Sequence, residues 1–260
     1  MRGKDARLNR ILSKGKALII PMDHGISIGP VPGIIDIKTT IQKVVAGGAT
    51  AILLHKGILR LLETPPLNCG MILHLSASTN LSDTPNWKVI VGSVEEAIRL
   101  GVDAVSIHIN LGSEQEAQML EDFGQISDAC DKWQIPLISM VYPRGKNIKD
   151  PYDPKIVAHV ARVGAELGAD IIKTNYTGSY ETFKDVVEGV PLPIIIAGGP
   201  KMDTDLDFLQ TVSDAMRAGA IGVAAGRNVF QHDNPTRMVA AIAQVLEGSS
   251  VEDALKLINP

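Results

Sequence analysis

The stretch "ELGADIIKTNYTG", residues 166–178, contains the end of a predicted helix, a glycine and a short apolar strand. Gly168 ends the helix, because glycine readily adopts the left-handed conformation of a helix terminus. The run "DIIKT" at 170–174 then has the nearly continuous apolar character of a parallel strand that is covered on both faces. Lys173 is the exception in this strand, and it raises a chemical question as well as a structural one.

The same helix–glycine–strand unit recurs along the chain. Apolar runs that predict strands lie at 17–22, 51–55, 71–75, 104–109, 137–142, 170–174, 193–198 and 222–226. Helical patterns lie between them at 37–46, 93–100, 114–132, 154–167, 179–187, 204–218 and 235–247. The segment 56–92, with "TPPLNC" and "ASTNLSDTPN", has only a weak helical signal, so we expect loops or a small excursion there in place of one unit.

Eight strand–helix units within 260 residues predict an α/β protein of the (β/α)8 (TIM) barrel type, formed as a single domain over residues 1–260. A doubly wound open sheet is the alternative. In a barrel, the side chains at the carboxyl ends of the strands converge on one site, whereas the opposite end serves stability.

Composition excludes several classes of function. A net charge of -4 without a block of Lys or Arg gives no field that would attract nucleic acid. Cys69 and Cys130 are far apart and form no metal or disulfide pattern, so we expect packing roles in a reducing cytoplasm. No stretch approaches the roughly 20 apolar residues that span a membrane, and the N-terminus does not have the pattern of a signal peptide. We therefore expect a cytoplasmic protein without membrane partners.

Lys173 has two interpretations. Its stem can pack against apolar neighbours while the ammonium group reaches water, as lysines commonly do. Alternatively, apolar walls disfavour the charged form, which leaves a neutral amine that attacks a carbonyl and forms a Schiff base. The position near the carboxyl end of the strand agrees with the second interpretation, but the residues alone leave both open.

Other predicted strand ends also carry polar residues. "PMDHGIS" places Asp23 and His24 at the mouth of the barrel, where Asp is equally suited to an ordinary turn. "MVYPRG" places Tyr142 and Arg144 there, and each would be unremarkable on a solvated rim. "AGGPK" and "AAGRN" follow the last two strands, where barrels commonly bind phosphate through backbone N–H groups. The candidate phosphate ligands are Gly198, Gly199, Gly226 and Arg227.

Four histidines form a competing constellation near the ends of the early strands. They are His24, His55, His74 and His108. A Zn2+ site of a metal-dependent aldolase or hydrolase is conceivable there. No closely spaced ligand motif accompanies them, and histidines satisfied in the core or on the rim account for the pattern equally well.

Seven segments occur in an order that resembles the archaeal class I aldolase family (DhnA/DeoC-like). They are "PMDHGIS", "HKGILR", "AVSIHINLGSE", "MVYPRGK", "DIIKTNYTG", "AGGPK" and "AAGRNVFQHD", and they extend over nearly the whole chain. The resemblance implies that Lys173 is the Schiff-base nucleophile, Tyr142 the proton donor and Asp23 the proton acceptor, with no metal and no cofactor. It also implies a set of substrate-binding residues: Asp23, His24, Gly25, Ile26, Ser27, Tyr142, Pro143, Arg144, Gly198, Gly199, Gly226 and Arg227.

The resemblance also implies the substrates, which are a phosphorylated keto-sugar and an aldehyde. One branch of the family cleaves 6-deoxy-5-ketofructose 1-phosphate and joins the retained fragment to L-aspartate 4-semialdehyde, on a route to 3-dehydroquinate and aromatic amino acids. The other branch is the archaeal fructose-1,6-bisphosphate aldolase, which typically continues Asp-His-Gly with Glu-His-Gly-Pro and has Trp two residues before the catalytic Tyr. Ser27, Ile28 and Met140 stand in those places here and favour the first branch.

Two further expectations follow from the same resemblance. The family forms homo-oligomers, often decamers, so we expect an oligomeric enzyme. A non-catalytic sensor of phosphorylated metabolites is the remaining alternative, but the combination of Lys173, Tyr142 and Asp23 argues against it.

Overall fold

The computed structural model describes residues 3–62 and 68–258, and these residues form a closed barrel of eight parallel strands. The strands are β1 (Ala17–Pro21), β2 (Ala51–Leu54), β3 (Gly70–His74), β4 (Ser76–Ala77), β5 (Val89–Ile90), β6 (Ala104–Leu111), β7 (Leu137–Pro143), β8 (Ile171–Thr174), β9 (Ile194–Ala197) and β10 (Gly222–Ala224). Around the barrel the order is β1, β10, β9, β8, β7, β6, β3 and β2, while β4 and β5 form a separate antiparallel pair. The prediction of a (β/α)8 barrel is confirmed, and the open sheet is wrong.

Twelve helices lie in the described part of the chain. They are α1 (Gly3–Ile11), α2 (Gly25–Ile28), α3 (Ile37–Ala46), α4 (Lys56–Leu59), α5 (Val94–Arg99), α6 (Glu116–Trp133), α7 (Pro154–Glu166), α8 (Tyr180–Glu188), α9 (Asp205–Arg217), α10 (Arg227–Phe230), α11 (Pro235–Leu246) and α12 (Val251–Ile258). All seven predicted helices are present within a few residues of their expected bounds. The predicted glycine termini are confirmed by positive φ angles at Gly48, Gly101, Gly168 and Gly219.

Five of these helices were not predicted from the sequence: α1, α2, α4, α10 and α12. The single turns α2, α4 and α10 are too short to show a helical period. Helix α1 is rich in charge, and Ile11 is its single buried residue. Helix α12 does have a readable period, since it buries Val251, Ala254 and Ile258.

The segment with the weak helical signal departs from the barrel repeat, as expected. A single helical turn, α4, follows β2, and the antiparallel pair β4–β5 is inserted between β3 and α5. Most of "TPPLNC" lies at 63–67, outside the described residues.

The barrel interior is closed at its base by helix α1. The inner core contains small residues at the strand starts, including Ala17, Ala51 and Ala104, and Ile11 is fully buried against this layer. Gly70 allows the close approach, because a Cβ there would lie 2.6 Å from Ile11 Cγ2. The base is therefore filled, and the opposite end is left for a site.

Two aspartates at strand starts attach helix α1 to the barrel. Asp103 accepts a hydrogen bond of 2.9 Å from the Met71 backbone N–H and pairs with Arg10. Asp170 accepts a bond of 2.8 Å from the Leu137 N–H and lies 3.1 Å from the Lys4 ammonium. Each carboxylate thus links α1 to a strand edge, which positions the helix below the barrel.

Replacement of Ile11 by alanine is expected to lower the free energy of unfolding by about 3 kcal/mol, because it leaves a cavity where the base is closed. Ile35→Ala removes the same atoms from a side chain that is 72% exposed and serves as the control. Urea unfolding measures both. An equal, small effect of the two substitutions would contradict the role of α1 as a plug.

Two observations concern the features that composition raised. Cys69 and Cys130 are buried and free, and burial raises the pKa of each thiol to about 12, as expected of packing residues. Within residues 3–62 and 68–258, none of the helices combines the length and apolar character needed to cross a membrane.

Candidate active site

A cavity of about 400 Å³ lies at the carboxyl ends of the barrel strands. Most of the predicted site residues line it: Asp23, His24, Ser27, Tyr142, Arg144, Lys173, Gly198, Gly199, Gly226 and Arg227. Gly25 and Ile26 line a neighbouring apolar depression instead. Pro143 is buried at the end of β7 and is not in the cavity wall.

Lys173 lies on the inner face of the barrel, in register with Met140 of β7 and Ile195 of β9. The residue is 7% exposed, and its Nζ lies 3.9 Å from Met140 Sδ. It forms no ion pair with any residue that the structure describes. The amine is therefore directed into the cavity, and the interpretation as a lysine that reaches bulk solvent does not fit this geometry.

Tyr142 lies on the same inner face as Met140, two residues further along β7. Strands β6 and β7 extend beyond β8, which places Tyr142 nearer the rim than Lys173. The ring is 6% exposed and contacts His108 edge-on, with 4.9 Å between ring centroids. Arg144 Cζ lies 5.2 Å from the ring centroid. These contacts fix the phenol above the level of the amine.

Asp23 follows β1 and lies among histidines. Its Oδ1 is 3.5 Å from His24 Nδ1, and its Oδ2 is 3.8 Å from His74 Nε2. Burial alone raises the pKa of Asp23, but the positive charges that His74, His24 and Lys173 carry when they are protonated outweigh burial, so the net pKa is lowered. The carboxylate is consequently ionised at neutral pH and is able to accept a proton.

The histidines around Asp23 are neutral near pH 7. Burial lowers the pKa of His74 to about 4, although Asp23 opposes the shift, and burial likewise lowers the pKa of His24 and His55. Burial lowers the pKa of His108 well below its ordinary value. A neutral imidazole has one ring nitrogen that donates a hydrogen bond and one that accepts. His74 Nδ1, for example, lies at hydrogen-bond distance, 2.8 Å, from Ser106 Oγ.

The zinc alternative lacks a ligand set. The rings of His55 and His74 are 5.2 Å apart, and His108 Nε2 is engaged by Asn110 Oδ1 at 2.8 Å. Among residues 3–62 and 68–258, no group of three or more His, Cys, Asp or Glu side chains is arranged to hold a metal ion. The early-strand histidines therefore do not converge as the metal hypothesis requires.

The loops after β9 and β10 form a cradle suited to an anion. Gly226 permits the close approach of the β1 loop, because a Cβ there would lie 2.7 Å from His24 Cε1. The Asn228 amide donates hydrogen bonds of 2.7 and 2.9 Å to the carbonyls of Gly198 and Pro200 and so fixes one loop to the other. The first N–H groups of α10 have no partner within the helix.

Arg227 completes this cradle. Its Nη2 donates to the Gly199 carbonyl at 3.1 Å, while its buried Nε has no hydrogen-bond partner in the described part of the chain. A buried donor without a partner is costly, and an anion in the cradle would satisfy it.

Sequence reasoning missed several residues of the cavity wall, among them Asn80, Lys88 and Tyr152. Lys88 precedes β5 in the inserted segment, where no helix or strand period indicated which side chains face inward. Burial lowers the pKa of Lys88 to about 8, and the nearby charge of Arg144 acts in the same direction. The available signal was a lysine within the otherwise apolar "WKVIV".

The protein is expected to lose stability in mild acid because His74 is buried in its neutral form. The pKa of His74 is about 4 in the fold and 6.5 when exposed, so the unfolded chain binds the proton first as the pH falls. This loss begins near pH 6.5 and reaches about 2 kcal/mol by pH 5, at about 1.4 kcal/mol per pH unit.

The lowered pKa of Asp23 does not offset this loss, because its contribution disappears only below the ordinary value of 3.8. Urea unfolding at several pH values measures the slope for the natural protein and for His74→Asn. An unchanged slope in the variant would assign the acid sensitivity to other groups.

The barrel, with a buried lysine, a tyrosine and a carboxylate around one cavity at its carboxyl end, defines an enzyme of the class I aldolase type. Residues 17–232 match the model of the DeoC/LacD family aldolases, and the chain belongs to that family.

Comparison with individual proteins shows which enzymes the chain resembles in sequence and in structure. The chain is 43% identical to a 2-amino-3,7-dideoxy-D-threo-hept-6-ulosonate synthase of Halobacterium salinarum, over 97% of this chain and 94% of the relative. It is 40% identical to a 2-amino-4,5-dihydroxy-6-oxo-7-(phosphonooxy)heptanoate synthase of Streptomyces griseus, over 93% and 88%. A solved archaeal fructose-1,6-bisphosphate aldolase, whose catalytic Lys is bound to a carbinolamine intermediate, superimposes with a TM-score of 0.87 at 33% identity, covering 94% of this chain and all of that one.

Proposed function

We propose that this enzyme is a Schiff-base synthase of 2-amino-3,7-dideoxy-D-threo-hept-6-ulosonate. Its donor would be 6-deoxy-5-ketofructose 1-phosphate and its acceptor L-aspartate 4-semialdehyde. The observation that carries the proposal is the Lys173 amine, which is buried in the cavity wall between the anion cradle and Tyr142. The near full-length identity to the synthase of Halobacterium salinarum supports the choice of reaction.

The chemistry follows from the three polar groups. The Lys173 amine condenses with the donor ketone and releases water, which gives an imine that accepts electrons. Asp23 takes the proton of the hydroxyl group β to the imine, the carbon–carbon bond between the α and β carbons breaks, and its electron pair forms an enamine. The other fragment leaves as an aldehyde. The enamine carbon then attacks the acceptor aldehyde, whose oxygen receives a proton from Tyr142, and the proton held by Asp23 passes through solvent to the Tyr142 phenolate. Water finally hydrolyses the product imine and restores the amine.

The cradle beside β9 and β10 supports a phosphorylated donor. In the proposal, the backbone of Gly198, Gly199 and Gly226 and the Arg227 guanidinium hold the phosphate group. Binding energy at this remote group aligns the ketone with Lys173, and a misplacement of about 1 Å would cost on the order of 10²-fold in rate.

Met140 supports the synthase over the fructose-1,6-bisphosphate aldolase alternative. Its sulfur is 3.9 Å from the Lys173 amine, at the position where the aldolase branch is expected to have Trp. The substitution therefore changes the wall immediately beside the nucleophile, where the substituents of the bound ketone lie. Ser27 likewise lines the cavity at the second position that separates the branches.

A second candidate function is favoured by the cradle itself. The product named for the Streptomyces griseus relative has a phosphonooxy group on C7, next to the ketone at C6. The cradle lies beside β9 and β10, next in the barrel order to β8 with Lys173, so a phosphate held there would be close to the imine carbon. This position suits a product with phosphate on the carbon next to the ketone. The donor of such a product would be a three-carbon ketone phosphate. The two candidates share the acceptor and differ in the donor.

Intact-mass analysis after borohydride reduction tests the proposal. The enzyme is incubated in turn with 6-deoxy-5-ketofructose 1-phosphate, dihydroxyacetone phosphate and fructose 1,6-bisphosphate, and the expected result is the reduced adduct of the fragment retained from the six-carbon diketose. Turnover with L-aspartate 4-semialdehyde should follow the same donor. A strong preference for fructose 1,6-bisphosphate would overturn the proposal, and no adduct with any donor would reject Schiff-base chemistry.

The proposal extends to the state of the enzyme in the cell. By the family resemblance we expect a homo-oligomer, with a decamer as the specific expectation, located in the cytoplasm. Light scattering of the purified enzyme measures the assembly, and a monomeric mass would contradict it.

A further inference from the structure

The inserted segment 78–88 contributes Asn80 and Lys88 to the cavity wall and is held in place by three hydrogen bonds. The Asn80 N–H donates to the Ser27 carbonyl at 2.9 Å, and the Ser27 hydroxyl donates to the Ser78 carbonyl at 3.1 Å. At the other end, the Asn110 amide donates to the Asn86 carbonyl at 2.8 Å. The segment is thus held by α2 on one side and β6 on the other, which gives its side chains fixed positions.

This segment directs Lys88 into the cavity beside Arg144. The Lys88 ammonium donates to the Ser78 hydroxyl, and the Arg144 guanidinium lies over the Tyr142 ring. Neither cation forms an ion pair within the described residues, although both line the cavity. Two like charges held close together without a carboxylate are mutually unfavourable, and an anionic ligand between them would relieve the repulsion.

Lys88 and Arg144 lie on the opposite side of Lys173 from the anion cradle. Lys173 is on β8; the strands on one side of it are β9 and β10, near Arg227, and those on the other side are β7 and β6, near Arg144 and Lys88. The cavity therefore has positive charge on both sides of the amine. A substrate with one anionic group on each side of its reacting carbon matches this arrangement.

The product named for the Streptomyces griseus relative has such a form, with a phosphate on C7 beside the C6 ketone and a carboxylate at C1. The product named for the Halobacterium salinarum relative lacks the C7 oxygen and has the carboxylate alone. Both are seven-carbon chains with the ketone at C6, an amino group at C2 and a carboxylate at C1. The carboxylate comes from the aldehyde acceptor and lies at the far end of the chain from the imine carbon. If the ketone side faces the cradle, the carboxylate extends toward β7 and β6.

We infer that Lys88, assisted by Arg144, binds the carboxylate of the amino-acid aldehyde and selects this acceptor. The inference rests on the acceptor aldehyde of the proposed function, which both candidate functions share, and it names the residues that recognise this acceptor. Lys88 is a specificity residue in this view and has no part in imine formation at Lys173.

Lys88→Met is expected to raise the KM for L-aspartate 4-semialdehyde about 10- to 100-fold, because one of the two charge-assisted contacts is lost. The yield of the imine trapped by borohydride with hydroxyacetone or with dihydroxyacetone phosphate, neither of which has an anion on the acceptor side, should not change. Lys88→Arg should recover much of the affinity, and Lys149→Met, an exposed lysine outside the cavity wall, is the matched control. Propanal, an acceptor without a carboxylate, should be used equally poorly by the natural enzyme and by Lys88→Met.

Three results would overturn the inference: an unchanged KM for the semialdehyde, an equal loss with propanal, or a parallel loss of donor imine. Calorimetric binding of L-homoserine, which keeps the amino-acid end of the acceptor but cannot react, provides a measurement that does not depend on turnover. It should bind the natural enzyme and bind Lys88→Met at least 10-fold more weakly. If no donor forms an imine, the proposed function fails, while this binding difference still decides the role of Lys88.

Discussion

Replacement of Lys173 by methionine is expected to lower kcat/KM by at least about 10⁴-fold and to abolish the borohydride-trapped adduct. Methionine has a similar length and no amine, so the barrel wall stays filled while covalent catalysis is lost. Without an imine, cleavage would have to leave electrons on an unassisted ketone. The measurement combines steady-state rates with intact mass after reduction.

Lys184→Met is the control for this experiment, since Lys184 lies on the outer helix α8 and pairs with Glu188 at 3.6 Å. It should keep the rate and the adduct of the natural enzyme. An adduct that persists in Lys173→Met would show that another amine is the nucleophile. Thermal unfolding of the variant checks that the loss does not come from the fold.

Replacement of Asp23 by asparagine is expected to lower kcat by about 10³-fold while the donor imine still forms. Asparagine retains the shape of the side chain but cannot take a proton, and general-base catalysis typically contributes 10²- to 10⁴-fold. The lowered pKa of Asp23 means that its carboxylate is already ionised when substrate arrives, so the natural enzyme needs no prior deprotonation. Trapped imine should therefore accumulate in the variant.

Single-turnover experiments separate the two steps for Asp23→Asn: imine yield by reduction, and release of the cleaved fragment by rapid quench. The exposed Asp128 provides the control substitution Asp128→Asn. If imine formation and cleavage slow by the same factor, Asp23 acts on the first step, and its assignment as the base for bond cleavage is wrong.

Much of the fold was predictable because its signals are local. Each strand of the barrel is an apolar run buried on both faces, and each major helix is amphipathic and often ends at a glycine with positive φ. The short helices, α1 and α12 were missed, as was the antiparallel pair β4–β5. In the inserted segment, hydrogen bonds to Ser27 and Asn110 determine the conformation, and these partners lie far away in the chain.

The candidate site was predictable where function coincides with a strand end. Lys173 and Tyr142 lie on or beside predicted strands, so a barrel brings them to one cavity. Position in the chain did not distinguish Ser27, which faces the cavity, from its neighbour Ile26, which faces another depression. The turn of α2 determines that difference, because successive residues of a helix point in different directions.

By itself, the sequence determined the barrel, its eight strands and the identity of a lysine that does not suit a buried strand, because hydrophobic period and glycine termini act over a few residues. Tertiary structure alone decided that the Lys173 amine lies against Met140, that burial keeps the surrounding histidines neutral, and that Lys88 approaches Arg144. The physical reason is that burial and charge depend on which distant segments meet, and barrel closure brings β1, β7, β8 and the inserted segment to one rim.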